Sequence, residues 1–164
     1  MTEKSASEQT SLNLGCGPDI REQYWNVDLV DGPGVDQQHD LDEYPWPFET
    51  DQFSIVLMSH VIEHLQDREA ALNELHRIMR PGGIATVRFP HHNSISAYTD
   101  PSHVKTITHR TPNNRVVDHL FEIKETNPKR IRFGRLLPSG LALFAAQHIG
   151  NIVCEVELVL EAKA

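Results

Sequence analysis

The sequence predicts a single α/β domain with a minimal doubly wound, mostly parallel sheet and an antiparallel strand at its C-terminal end. Three patterns indicate this fold class: short apolar runs alternate with one helical pattern, a glycine turn follows the first run, and the last segment alternates apolar with acidic residues. Strands alternating with helices or connections are typical of a parallel sheet covered on its faces.

The first half of the chain supplies most of the predicted sheet. Residues 11–14 form a short strand that enters a glycine turn, and residues 25–30 form the second strand. A very short third strand near residues 35–39 precedes an irregular acidic and proline-containing connection. The apolar run at residues 53–58 is typical of a strand buried on both faces.

A helix and several further elements follow. Asp67 is the predicted N-cap of a helix through Arg80, which Pro81-Gly82-Gly83 ends, and residues 84–89 form the next strand. Beyond Pro90 a histidine-rich stretch indicates a loop with a short helix. Later elements are one or two strands in residues 121–133, a helix at 138–148, and a half-exposed antiparallel strand at 152–161.

Length and charge restrict the class of protein. A chain of 164 residues with 39% hydrophobic residues fits one domain, assigned to residues 11–164 after a flexible segment at residues 1–10. The net charge of −8 disfavours nucleic acid as a partner. A basic run still leaves an RNA-binding alternative open; its members are Lys124, Lys129, Arg130, Arg132 and Arg135.

The sequence predicts a cytoplasmic protein without a membrane span. Cys16 and Cys154 form no CxxC pair, and the first ten residues contain no apolar segment of the signal-peptide type. The longest apolar stretch, residues 141–146, is far shorter than the about 20 residues that cross a bilayer.

The glycine turn and the acid after the second strand predict a nucleoside site. Gly15-Cys16-Gly17 lets the backbone approach a ligand, and Asp28 at the end of the second strand can accept hydrogen bonds from ribose hydroxyls. A tight turn and a strand-end Asp without a ligand are the alternatives. Residues 18–27 leave room for about one helical turn, since a parallel crossover usually takes about a dozen residues.

Five motifs in one order extend this prediction: LNLGCG, NVD, HDLD, FSIVLMSHVIEHL and LHRIMRPGG. In this order they resemble the class I S-adenosylmethionine-dependent methyltransferases with a Rossmann-like fold, in particular small type 11-like members with HVxEHL after strand four. The resemblance is strong from residue 12 to about residue 109. It implies S-adenosylmethionine as the cofactor.

The resemblance also implies a role for individual residues. The glycine turn would lie under the methionine part of the cofactor, Asp28 would hold the ribose, and Asp40 with Leu41 would lie beside adenine. Ser59 and His60 would line the cofactor near its methyl group. Asn13 stands where many relatives carry an acid, and would contact the cofactor's amino group or bond to backbone.

The stretch after Pro90 predicts the acceptor side, taken as residues 91–150. It is similar to the PHxSS and AYxDPxH segments of small methyltransferases, some of which are linked to glycan modification. The implied acceptor residues are His91, His92, Tyr98, Asp100 and His103, with His109 nearby. A hydroxyl acceptor needs a base within hydrogen-bond reach, for which His60, His91 and His103 are the candidates.

Ten histidines also raise the question of a metal. His60 and His64 have the i, i+4 spacing of two ligands on one helical face, but the Glu that follows the first His in zinc hydrolases is missing. The sequence therefore predicts no bound metal.

The expected function is methyl transfer to a small-molecule or glycan-type acceptor, at oxygen, since no NPPY-like tetrapeptide follows strand four. Two alternatives remain. One is an RNA methyltransferase that uses the basic run, and the other is a non-catalytic partner that binds the cofactor and activates another subunit. The sequence leaves open whether the protein is a homodimer.

Overall fold

One seven-stranded sheet forms the centre of the protein. The computed structural model describes residues 9–92, 94–104, 115–130, 138, 140–141, 144 and 152–164, except the side chains of Ser96 and Tyr98. The strands are β1 (Ser11–Leu14), β2 (Trp25–Asp28), β3 (Gln37–Gln38), β4 (Phe53–Ser59), β5 (Met79–Pro90), β6 (Phe121–Arg130) and β7 (Val153–Ala162). The helices are α1 (Arg68–Ile78), α2 (Ser96–Thr99) and α3 (Arg115–Leu120).

The strand order is β3-β2-β1-β4-β5-β7-β6. Strands β1 to β5 pair in parallel, whereas β7 is antiparallel to both β5 and β6. This confirms the predicted mostly parallel sheet with an antiparallel C-terminal strand. Strand order reverses between β1 and β4, and ligands of such sheets bind outside the carboxyl ends of the strands at that point.

The predicted first strand matches β1 residue for residue, and the other predicted strands overlap the observed ones, although β5 begins at Met79 and includes the Pro81-Gly82-Gly83 predicted to end the helix. The second strand ends at Asp28, two residues earlier than predicted. No helix lies between β1 and β2, where the described residues 18–24 form turns. Most of the predicted helix at 138–148 lies outside the described residues, as do His109, Arg132 and Arg135.

Helix α1 begins where the sequence predicts. The Asp67 side chain accepts a hydrogen bond from the Ala70 N–H and so caps the helix. The helix ends at Ile78, two residues before the predicted Arg80, because Met79 turns into extended backbone and pairs with Phe53 of β4. Its buried face, which includes Leu72 and Leu75, packs into the core.

The connection between β3 and β4 is irregular, as predicted, but it also contributes to the core. Trp46 is 1% exposed, and its indole N–H donates to the Leu41 carbonyl. Arg77 of α1 donates to the carbonyl oxygens of Trp46 and Phe48 and pairs with Glu74, which in turn accepts from the Trp46 N–H. The helix thus holds the connection in place.

Replacing Arg77 with alanine is expected to lower the free energy of unfolding by about 2–3 kcal/mol, because two carbonyls and a half-buried carboxylate lose their donor. Arg77 lowers the pKa of Glu74, so this pair contributes stability above the unfolded carboxyl pKa and loses it as the pH falls through the folded pKa. Urea unfolding at neutral and acidic pH would measure both effects. Arg80→Ala is the control, since Arg80 makes one exposed bond to the Asp51 carbonyl; equal losses in the two variants would contradict the assignment.

Among the described residues, no helix is both long and apolar enough to cross a membrane.

Candidate functional site

A cavity of about 750 Å³ lies outside the carboxyl ends of β1 to β4. One side is formed by the loops after β1, β2 and β3, and the other by the segment after β4 together with residues 101–104. Its lining comprises Gly15, Gly17, Asp28, Leu29, His39, Asp40, Leu41, Asp42, His60, Val61, His64, Leu65, Gln66, Pro101, Ser102 and Val104. The cavity therefore joins the predicted cofactor residues to part of the predicted acceptor segment.

The loop after β1 requires glycine at its first position. Gly15 has a φ of 61°, and a Cβ placed there would lie 2.2 Å from Cγ2 of Val61. Gly17 also has a positive φ, but a Cβ there would meet no protein atom within 4 Å. Cys16 is buried, its N–H donates to the Val27 carbonyl, and burial raises the pKa of its thiol. Cys16 thus anchors the loop to β2.

Asp28 connects the end of β2 to this loop. Its Oδ2 accepts from the Gly17 N–H at 2.7 Å and its Oδ1 accepts from the Val30 N–H at 3.1 Å. An ionised carboxylate offers about four lone-pair sites. Asp28 therefore fixes the loop and retains capacity for ligand hydroxyls.

A buried hydrogen-bond network occupies the short passage between β1 and β2. The Asn26 side chain accepts from Asn13 Nδ2 at 3.1 Å and from the Arg21 N–H at 3.0 Å. It donates to the Arg21 and Tyr24 carbonyls and to Asp36. Asn13 is 1% exposed, and it bonds Asn26 and the Asp19 carbonyl instead of lining the cavity. Two asparagines thus stabilise the turns that stand in place of a helix.

The predicted adenine-side residues both line the cavity. Asp40 is exposed, and its Oδ1 accepts from the Asp42 N–H at 2.9 Å. Asp42 in turn accepts from the Gln66 N–H, which ties this loop to the segment after β4. Leu41 is 7% exposed and offers an apolar surface beside Asp40.

His60 stands at the turn that ends β4. It has a φ of 57°, and its N–H donates to the Arg88 carbonyl. Its Nε2 lies 2.9 Å from Oε2 of Glu155, and its Nδ1 lies 3.3 Å from Oε1 of Glu63. The Glu63 carboxylate, followed by that of Glu155, raises the pKa of His60 against the effect of burial.

Two other histidines lie against Glu63. His64 and His103 pack edge to face with ring centroids 4.7 Å apart, and Nε2 of His103 is 4.0 Å from Oε1 of Glu63. Ser102 bonds to Nδ1 of His64 and to Asp100. Hydrogen bonds from Ser102 lower the pKa of Asp100. The segment after β4 and the 100–104 segment thus meet at these side chains.

The remaining predicted site residues lie elsewhere. His91 is fully buried and does not line the cavity; its backbone N–H donates to the Cys154 carbonyl, and its ring centroid lies 4.5 Å from that of His92. Ser59 is the last residue of β4 and does not line the cavity. The side chain of Tyr98 lies outside the described residues.

Sequence reasoning missed three residues. Glu155 looked like one of several exposed acids on an alternating strand, and only the pairing of Pro90 with Glu155 places it beside His60. Glu63 belongs to the HVIEHL segment, in which the sequence assigned it no role, but the structure places it in turns at residues 61–66 with 2% exposure. Its position among apolar residues in the VIEHL segment could have indicated that its side chain is buried. No pattern in the sequence indicates that Asn26 is buried, because buried and exposed asparagines in strands look alike in sequence.

The chain is similar to known methyltransferases in sequence and in fold. Residues 12–87, just under half of the chain, match the methyltransferase domain family. A protein of Mycolicibacterium smegmatis named Probable S-adenosylmethionine-dependent methyltransferase is 30% identical over 126 residues. That alignment covers 74% of this chain and 46% of the relative, so the chain spans about half the length of the curated relative that it matches.

Solved structures share the fold at low identity. A SAM-dependent methyltransferase from Archaeoglobus fulgidus superposes with a TM-score of 0.68 at 15% identity, covering 93% of this chain and 86% of that chain. A chain in the complex between the Haloferax volcanii Trm112 methyltransferase activator and a candidate methyltransferase superposes with a TM-score of 0.62 at 15% identity, covering 95% and 83%. The chain therefore shares the Rossmann-like fold of these solved methyltransferase structures, and its residues 12–87 match the methyltransferase domain family.

Proposed function

We propose that this protein transfers a methyl group from S-adenosylmethionine to an oxygen of a small-molecule or glycan-type acceptor. The observation that carries the proposal is the single cavity in which the Gly15 loop and Asp28 face His60 and His64. One side of this cavity has the chemistry of a nucleoside site, and the other has hydrogen-bonding groups for an acceptor.

The residues on the first side fit the proposed cofactor. A volume of about 750 Å³ lies within the range of small-ligand and cofactor sites. Gly17 leaves open space where a side chain would stand, and Asp28 retains capacity for the two ribose hydroxyls. Leu41 offers an apolar contact for adenine, and Asp40 can accept a hydrogen bond from its amino group.

The acceptor side has to align an oxygen atom with the methyl group. S-adenosylmethionine, when bound, supplies a methyl group that its sulfonium already activates, so the protein contributes mainly in-line positioning. Among the three histidines predicted as catalytic, we propose that His60 contacts the acceptor oxygen, because it lines the cavity and is half exposed. His91 is fully buried, and His103 is 11% exposed at its side chain.

An RNA acceptor is less well supported. Two lysines of the basic run are paired with acids: Lys124 with Glu122 and Glu161, and Lys129 with Glu155. Such pairing reduces the positive charge available to phosphates.

A non-catalytic role is the second candidate. The missing helix between β1 and β2 leaves little chain to enclose a cofactor, and one structural neighbour is in complex with a methyltransferase activator. In this reading the protein binds the cofactor and supports another subunit. Methyl transfer by the isolated chain would exclude it.

Calorimetry with S-adenosylmethionine and S-adenosylhomocysteine tests the cofactor half of the proposal. We expect both to bind, and Asp28→Ala to weaken binding by about 10- to 100-fold, the equivalent of one or two hydrogen bonds to a charged group. Asp31→Ala is the matched control, since Asp31 is exposed and does not line the cavity. If neither ligand binds at millimolar concentration, the proposed activity is wrong.

The acceptor half needs a transfer assay. Radiolabelled S-adenosylmethionine would be offered with panels of sugars, glycans, small hydroxyl compounds and RNA. Transfer to RNA alone would replace the proposed acceptor class. Transfer to a hydroxyl compound that falls in His60→Ala, with cofactor affinity retained, would support the role of His60.

A further inference from the structure

We propose that Glu63, His64 and His103 bind one divalent transition-metal ion, of the Zn²⁺ type, at the wall of the cavity. One donor atom from each residue lies within 4.8 Å of the other two. The inference goes beyond the proposed methyl transfer, because it concerns a ligand that the cofactor fold does not require.

Glu63 provides the first argument. Its side chain is 2% exposed, and within the described part of the chain neither carboxylate oxygen accepts a hydrogen bond. His60 Nδ1 approaches Oε1 at 3.3 Å, but the closer partner of His60 is Glu155, at 2.9 Å from Nε2. Buried carboxylates are normally hydrogen-bonded, paired or bound to a metal. His60 pairs with Oε1, so Oε2 is the oxygen that has neither a hydrogen bond nor an ion pair among the described residues, and a cation beside Glu63 would satisfy it.

The hydrogen bonds of His64 fix which ring nitrogen is free to bind a metal. Ser102 has one hydroxyl proton, which it donates to Oδ1 of Asp100. Its oxygen therefore accepts from Nδ1 of His64, 2.9 Å away. In the neutral ring this leaves the lone pair on Nε2. A ligand histidine typically donates its other N–H in this way to an oxygen.

The protonated ring nitrogen of His103 can be assigned in the same way. Its Nδ1 lies 3.1 Å from the Ala97 carbonyl, which can only accept, so Nδ1 carries the proton. The neutral ring then presents its Nε2 lone pair towards Glu63, at 4.0 Å from Oε1. The His64 and His103 rings stand edge to face at 4.7 Å, as two ligands of one ion can.

The donor set and its location select the class of metal. Two imidazoles and one carboxylate suit Zn²⁺ and other transition metals, whereas Mg²⁺ and Ca²⁺ prefer oxygen ligands. Ligand bonds to zinc are about 2.0–2.2 Å, which places tetrahedral donors about 3.4 Å apart, so the side chains would close by roughly 1 Å. His64 and Ser102 line the cavity, so a fourth coordination position would face it.

The sequence predicted no metal, because Val61 follows His60 where a zinc hydrolase has Glu after its first His. The structure points to a different set. His60 is not part of the cluster, residues 61–66 are turns, and the third donor comes from His103, 39 positions after His64. If the proposed methyl transfer is correct, the ion would stand where an acceptor oxygen could bind it; this role rests on the proposed function, but metal binding does not.

The test is metal binding by the untagged full chain, after treatment with a chelator. Elemental analysis after dialysis against Zn²⁺, and the visible absorption of added Co²⁺, are expected to show one ion per chain with an intense, low-symmetry Co²⁺ spectrum. His103→Gln and His64→Gln should each reduce affinity at least 100-fold. Ser102→Ala, which removes the partner of His64, should reduce it about 10-fold.

His119→Gln is the matched control, since His119 is exposed on α3 and outside the cluster. Wild-type affinity in His103→Gln, or loss of affinity in His119→Gln to the same extent, would overturn the assignment. A wild-type chain that binds neither Zn²⁺ nor Co²⁺ would overturn it without any variant, and circular dichroism would show whether each variant is folded. Metal binding without binding of S-adenosylmethionine would uphold this site and refute the proposed function.

Discussion

Replacing Asn26 with leucine is expected to lower the free energy of unfolding by about 4 kcal/mol or more, which is a large part of the about 5–15 kcal/mol of a typical domain. Leucine has nearly the shape of asparagine, so the loss comes from hydrogen bonds. The Arg21 N–H, the Arg21 carbonyl and the Asn13 amide would all lose a buried partner. Each such group costs about 1–3 kcal/mol.

Urea unfolding followed by the fluorescence of Trp25 and Trp46 would measure the change. Asn73→Leu is the matched control, because Asn73 lies on the exposed face of α1 and makes one bond to the Glu69 carbonyl. Asn26→Asp keeps the two accepted bonds but sets a carboxylate oxygen against Asp36 and the Arg21 and Tyr24 carbonyls, so we expect a loss at least as large. If Asn26→Leu and Asn73→Leu unfold at the same urea concentration, the network does not support the turns.

Gly15→Ala is the second substitution with a large expected effect, and it should lower the free energy of unfolding by about 2–5 kcal/mol. Two terms contribute. A left-handed backbone conformation costs a non-glycine residue about 1–2 kcal/mol, and overpacking a core contact costs about 1–3 kcal/mol. The new Cβ would lie 2.2 Å from Cγ2 of Val61, so either the loop or the segment after β4 has to move. Affinity for S-adenosylmethionine should fall with stability, since both segments line the cavity.

A double-mutant cycle separates the two terms. Val61→Ala removes Cγ2, so the Gly15→Ala substitution should cost at least 1 kcal/mol less in that background. Gly32→Ala is the control for the general effect of replacing glycine with alanine, because a Cβ at Gly32 meets no atom within 4 Å. Equal costs of Gly15→Ala in both backgrounds would show that backbone strain, and not the contact, dominates.

The parts of the fold with a local cause were predictable. The glycine turn, the Asp67 cap and the alternation of β7 each depend on residues close together in sequence, and all three appear in the structure. The length of chain between Gly17 and Asp28 limited any helix between β1 and β2 to about one turn, and the structure has turns without a helix there. What the length could not reveal is how those turns are held, because the bonds of Asn26 depend on side-chain direction.

The cavity was predictable on one side and not on the other. Gly15, Asp28 and Asp40 follow strand ends, and parallel strands end at one edge of the sheet, so sequence order brings them together. The environment of His60 and Glu63 depends on contacts between distant segments. Residues 100–104 and Glu155 approach them only through the strand order and the direction of β7.

The antiparallel direction of β7 brings a late part of the chain next to residues that come from its first half. Because β7 runs opposite to its neighbour β5, its first residues lie at the edge where the parallel strands end, and Glu155 reaches His60 there. The wall beside Asp28 is formed by residues between 15 and 42, whereas the opposite wall combines residues 60–66 with residues 101–104, which follow Pro90. Substitutions and insertions after Pro90 can therefore reshape one wall during evolution while the hydrogen bonds of the glycine loop stay as they are.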